Sequence, residues 1–88
     1  MPHKIVVFSK PGCHLCEQAI ENLKALSSRK EFQLEIVDIT QEQELLKTYM
    51  IRIPVIRLDG RDVLDAEDIA LPLDSRSKLE DLVLGLQE

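Results

Sequence analysis

Cys13 and Cys16, the two cysteines of this 88-residue chain, are separated only by His14 and Leu15. A pair at this spacing can cycle between dithiol and disulfide, can supply part of a metal site, or can pack as two small inert side chains. The thiolate is the nucleophile, so redox chemistry needs a place that stabilises the anion. Upstream, Ile5-Val6-Val7-Phe8 is a continuous apolar run rich in β-branched residues, which reads as a strand buried on both faces. Ser9-Lys10-Pro11-Gly12 breaks it with turn chemistry. From 13 to about 28, Cys16, Ala19, Ile20, Leu23 and Leu26 recur on one helical face. The motif therefore opens a helix, where unpaired N–H groups and the positive end of the dipole favour a thiolate. Lys10 and a protonated His14 add positive charge near Cys13, and we expect both to tune its pKa. Cys13 is the expected catalytic attacker, the more exposed thiol. Cys16, on the apolar stripe, is the expected resolver.

Structural zinc normally takes four ligands, and the sequence offers no second Cys/His pair beside His3 and His14. No resident metal is expected. A zinc ion or iron–sulfur cluster shared with a partner subunit or glutathione stays open as an alternative, as does a binding module whose thiols do no chemistry.

The rest of the chain reads as elements that would position this motif. Phe32, Leu34 and Ile36 alternate with Gln33 and Glu35, the period of a half-exposed strand. Thr40 with Gln43 resembles a capping box opening a short helix over 41–49, and Tyr49 and the Met50-Ile51 pair read as core or helix-end packing. Segments 54–58 and 61–64 flank Asp59-Gly60, a strong hairpin signal. Pro54, taken by itself, reads as an edge-strand or strand-start residue. Leu79, Leu82, Val83 and Leu86 mark an amphipathic C-terminal helix, with Ser77 and Glu80 as its capping box. The order is β-α-β-α-β-β-α, an α/β fold with a four-stranded mixed sheet flanked by helices on both faces. The first β-α-β unit makes its strands parallel and the hairpin makes its strands antiparallel.

Length and composition bound the function. Residues 1–88 are expected to form a single domain, since half of so short a chain could not bury a core of its own. The 44% apolar content argues against disorder, and no apolar run approaches a membrane span. The brief apolar start is too short for a signal-peptide core, so a cytoplasmic location is expected, where paired cysteines are catalytic or metal-binding more often than structural. A net charge of -5 speaks against nucleic acid as a partner. That charge is uneven: residues 1–30 sum to +3 and residues 31–88 to -8.

Strand, Ser9-Lys10-Pro11-Gly12-Cys13-His14-Leu15-Cys16, helix, and later Ile53-Pro54 before an Asp-Gly hairpin together resemble the thioredoxin superfamily, and within it the glutaredoxins and glutaredoxin-like proteins. The resemblance covers essentially the whole chain. It implies a thioredoxin-like fold and a thiol–disulfide oxidoreductase that reduces disulfides or mixed disulfides, with Cys13 attacking and Cys16 resolving. It implies a cis Pro54 facing Cys13, the Ile53 backbone free to pair with a bound thiol substrate, and Lys10 holding a glutathione carboxylate. Lys10, Ile53 and Pro54 are thus the expected substrate contacts. No tightly bound cofactor is implied. Glutathione is a possible co-substrate, and glutathione or a thioredoxin-reductase-like protein would restore the dithiol. Three departures bear on this, the first being Arg52-Ile53-Pro54 where the family usually has Thr-Val-Pro. His14-Leu15 replaces the usual Pro-Tyr between the cysteines. Leu64-Asp65 and Glu67-Asp68 stand where the family places glycines and one aspartate around the γ-glutamyl end of glutathione, which favours a protein or peptide thiol as partner.

Overall fold

Alternation along the first strand sets the layers of the molecule. In the computed structural model, which describes residues 2–86, β1 (His3–Ser9) is a central strand. Ile5 and Val7 point to one side of it, Val6 and Phe8 to the other. It is followed by α1 (His14–Leu26), β2 (Phe32–Asp38), a single 3-10 turn (Ile39–Gln41) and α2 (Gln43–Tyr49). Then come β3 (Val55–Leu58), β4 (Arg61–Leu64) and α3 (Pro72–Leu84). The sheet order is β2-β1-β3-β4, with β1 parallel to β2 and antiparallel to β3, and β3 antiparallel to β4. This is the α/β architecture with a four-stranded mixed sheet that the element order predicts, and the thioredoxin-like fold that the resemblance implies. Among the described residues no helix is long and apolar enough to cross a membrane.

Two apolar clusters occupy the two faces. On one, Ile5, Val7 and Ile56 meet Leu23 of α1 and Leu79 and Val83 of α3. On the other, Phe8 and Val55 meet Ile39, Tyr49, Ile53 and Cys16. Each large aliphatic side chain withdrawn from water contributes about 1.5–3 kcal/mol against the entropy of ordering the chain. The Asp59-Gly60 turn has both residues at positive φ, 49° and 89°, as a two-residue hairpin of the primed type demands. Asp59 also ties the hairpin tip to the start of β1: its N–H donates to the Lys4 carbonyl and its carboxylate accepts the Lys4 N–H, both at 2.9 Å.

Three expectations are corrected. Thr40 does not cap α2. Asp38 accepts both the Thr40 N–H at 2.9 Å and its hydroxyl at 2.6 Å, so Thr40 is taken into the 3-10 turn and α2 starts after an extended Glu42 with no side-chain cap. Ser77 does not open α3 either. The helix starts at Pro72, whose fixed φ suits a first helical position, and Ser77 lies inside it. Met50 and Ile51 are not packed: they are 52% and 87% exposed, while Tyr49 beside them is buried.

The Asp38 cap has a pH signature. Hydrogen bonds from the Thr40 hydroxyl and N–H, with a weaker one from Gln41, outweigh a small desolvation effect and hold the Asp38 carboxyl below its ordinary value. Stability gained this way is fully present above the unfolded carboxyl pKa of about 3.9 and is lost as pH falls through the lower folded value. Urea midpoints of the protein and of Asp38→Asn are expected to differ at pH 7 and to converge as the solution is acidified below pH 4.

Candidate functional site

The turn before the cysteines is built from the two residues that punctuate the sequence. The Cys13 N–H donates to the Lys10 carbonyl at 3.4 Å, and Gly12, the third residue of that turn, sits at φ +80°. Proline second and glycine third is the signature of a type II turn, because only glycine adopts that φ without strain. The turn delivers Cys13 to the N-cap position of α1. There its Sγ accepts the N–H of Cys16 at 3.2 Å, taking one of the helix's orphan donors. Cys13 and Cys16 are joined in a disulfide, with Cα atoms 5.2 Å apart, inside the span such a bond tolerates. Cys16 is 1% exposed, and Cys13 is only partly buried.

His14 occupies the first helical position with its side chain 91% exposed, its Nδ1 3.7 Å from a Glu17 carboxylate oxygen. An exposed charge there is screened by water and salt. Lys10 is exposed, and among the described residues nothing engages its ammonium group. Pro54 is fully buried and the Ile53-Pro54 bond is cis. Ile53 belongs to the same apolar cluster as Cys13 and Cys16, so the structure brings the loop before β3 to the cysteines. Its backbone is only half free, however. The Ile53 N–H donates to the Tyr49 carbonyl at 3.1 Å, while among the described residues no donor reaches the Ile53 carbonyl.

Beyond Ile53 lies a set of charged residues that the sequence reading did not assemble. Arg57 and Asp62 face each other across the hairpin, with Nε to Oδ1 at 2.8 Å. The buried Tyr49 hydroxyl accepts from Arg57 at 2.8 Å and donates to Asp62 at 3.1 Å. The Tyr49 ring stacks on Phe8 at 4.5 Å, and the Arg57 guanidinium lies over the Phe8 ring, 4.7 Å from its centroid. Burial works against the ionised Asp62, yet its hydrogen bonds to Arg57 and Tyr49 and the charges of Arg57 and Arg52 outweigh it, so its carboxyl titrates below the usual range. The Asp59-Gly60 turn could have revealed this pair, since a two-residue hairpin sets 58 against 61 and hence 57 against 62.

Segment 65–68 is joined to the loop before β3. The Ala66 N–H donates to the Arg52 carbonyl at 2.9 Å, and the Arg52 side chain lies 3.6 Å from the Asp65 carboxylate. Within the segment, Asp68 accepts the Asp65 N–H at 2.9 Å and Asp65 accepts the Glu67 N–H at 3.0 Å. A shallow recess of about 90 Å³ opens here, lined by Arg52, Asp62, Val63, Leu64, Asp65 and Asp68. Among the described residues no group of three or more His, Cys, Asp or Glu side chains could hold a metal ion. Any metal on the two cysteines would need donors from elsewhere.

A family model described as a glutaredoxin-like domain matches residues 4–83. No curated protein matches the chain. Among solved structures, protein Ne2328 from Nitrosomonas europaea is similar over 97% of this chain and 89% of its own, at 29% identity and a TM-score of 0.70. Protein XcR50 from X. campestris is 31% identical, covering 86% of this chain and 95% of its own, with a TM-score of 0.59. A mutant thioredoxin from Halobacterium salinarum NRC-1 shares the fold at 18% identity and a TM-score of 0.59, over 92% of this chain and 74% of its own.

Proposed function

The chain belongs to the glutaredoxin-like domain family, and from that premise we propose that it is a thiol–disulfide oxidoreductase acting through Cys13 and Cys16. The observation that carries this reading is the placement of Cys13 Sγ at the N-cap of α1, bonded to the Cys16 N–H and within disulfide reach of Cys16. An N–H aimed at the sulfur and the positive end of the helix both favour the thiolate over the thiol.

In the reduced protein, the Cys13 thiolate attacks one sulfur of a substrate disulfide. A bond forms between Cys13 Sγ and that sulfur, the substrate S–S bond breaks, and the second substrate sulfur leaves as a thiolate that takes up a proton. The Cys16 thiol then gives up its proton and attacks Cys13 Sγ. The mixed disulfide breaks, the remaining substrate thiol departs, and the Cys13–Cys16 bond stores the two electrons' worth of oxidation. A thiol reductant, either glutathione or a thioredoxin-reductase-like protein, returns the pair to the dithiol in a reducing compartment such as the cytoplasm. Burial of Cys16 directs first attack to Cys13, since only the partly exposed sulfur is open to a bulky disulfide. Lys10, and His14 when protonated, supply positive charge around the thiolate, and Ile53, followed by the buried cis Pro54, lies on the substrate's side of the cysteines.

The test is a trapping experiment. Cys16→Ser, incubated with disulfide-containing extract, should accumulate covalent adducts on Cys13 that dithiothreitol releases and mass spectrometry identifies. A protein that forms no adduct, and whose wild-type pair does not cycle between dithiol and disulfide, is not an oxidoreductase.

A further inference from the structure

Substrate that has formed a disulfide with Cys13 cannot stand off from the protein. The bond holds the Cα of its cysteine about 4.4–6.8 Å from that of Cys13, so the residues on either side must lie on the adjoining surface. On the β3 side that surface has two unusual properties. Ile51, 87% exposed, and Met50, 52% exposed, stand immediately before Arg52 and Ile53, and Ile53 belongs to the apolar cluster against which Cys13 packs. An isoleucine so open to water, two residues before the Ile53 that shares the cluster of the cysteines, is apolar area that a docked chain would cover. Next to it, joined through the Ala66-to-Arg52 hydrogen bond, lies the recess whose wall carries three aspartates against one arginine. Asp62 is matched by Arg57 and Tyr49, and Asp65 lies within reach of Arg52. Among the described residues Asp68 is matched only by a backbone N–H, and Glu67 adds a further exposed negative charge.

We propose that this combination is the specificity surface of the protein, and that it selects an extended polypeptide disulfide whose cysteine is flanked by an apolar residue and a lysine or arginine. The apolar residue covers Ile51 and Met50, and the cation enters the recess beside Asp68 and Asp65. The charge arrangement disfavours an anionic disulfide such as that of glutathione in the same place. This rests on the oxidoreductase reading and narrows it to a substrate class.

The test compares reduction of two synthetic peptides, each supplied as its homodimeric disulfide, with a central cysteine flanked by Leu and Lys in one and by Ser and Glu in the other. Hydroxyethyl disulfide serves as a small neutral reference and glutathione disulfide as an anionic one. Relative to hydroxyethyl disulfide, the Leu/Lys peptide should react about tenfold or more faster than the Ser/Glu peptide at low salt, a preference that shrinks as salt is raised. Ile51→Ser and Asp68→Asn, the latter keeping an oxygen for the Asp65 N–H, should each cut that preference by about threefold or more. Equal rates for the two peptides, a preference untouched by both substitutions, or glutathione disulfide outpacing the Leu/Lys peptide would overturn the proposal. Failure to reduce any of the disulfides, hydroxyethyl disulfide included, would instead remove the oxidoreductase reading itself.

Discussion

Cys13→Ser is expected to lower disulfide reductase activity by about a thousandfold or more, because it removes the partly exposed thiol and leaves only the buried Cys16 thiol, which a bulky disulfide does not reach. The same substitution should hardly affect folding. Cys13 is the N-cap of α1, and its sulfur accepts the Cys16 N–H. A serine hydroxyl is among the preferred acceptors at that position, so the cap is retained or improved. Reduced wild type and Cys13→Ser should therefore unfold in urea within about 0.5 kcal/mol of one another. Stability without activity is the outcome that assigns the chemistry to this sulfur. Full activity in the variant would show that the reaction runs elsewhere.

Leu23→Ala is expected to cost about 2–5 kcal/mol, the usual range for emptying a fully buried leucine site. Leu23 has no exposed surface and lies between the sheet residues Ile5, Val7 and Ile56 and the α3 residues Leu79 and Val83. The loss is large against the roughly 4–13 kcal/mol that a chain of this length usually holds. It also acts on the helix whose first turn carries the cysteines. Urea unfolding of the reduced proteins reads it directly, and an unchanged midpoint would mean that α1 and α3 do not close over the sheet as described.

What the sequence made legible were the features with strong local causes. The β-branched run of β1 and the stripe through Ala19 and Leu23 were sufficient for the first strand and helix. Asp59-Gly60 was sufficient for the hairpin and its register. Cys13 and Cys16 fell on the expected turn, one partly exposed and one buried. Helix starts were harder to read, because a Ser/Thr followed three residues later by Glu/Gln caps a helix only if the chain is not already helical there. At Ser77 it is. The contacts of Leu79 and Val83 continue one turn back to Ser75, 1% exposed and bonded to Asn22, which carries α3 past the apparent start. At Thr40 the competitor was Asp38, two residues upstream, which captures both Thr40 donors. The Tyr49–Arg57–Asp62 arrangement needed three elements brought together, α2, β3 and β4, and no window along the chain contains that information. The exposure of Ile51 was hidden for a related reason. Its neighbour Tyr49 turns inward to stack on Phe8, and composition alone does not say which member of a mixed apolar run will be left outside.

The bond from the Ile53 N–H to the Tyr49 carbonyl decides how the loop can greet another backbone. With its donor committed, Ile53 offers a lone acceptor to anything laid along it. A ladder rung made of two reciprocal bonds would fix the direction of an incoming strand; a single acceptor does not. A chain can therefore satisfy Ile53 running either way past Cys13, so long as it brings an amide hydrogen to that point. Proline, which has none, is the one residue whose main chain gives this loop nothing to hold.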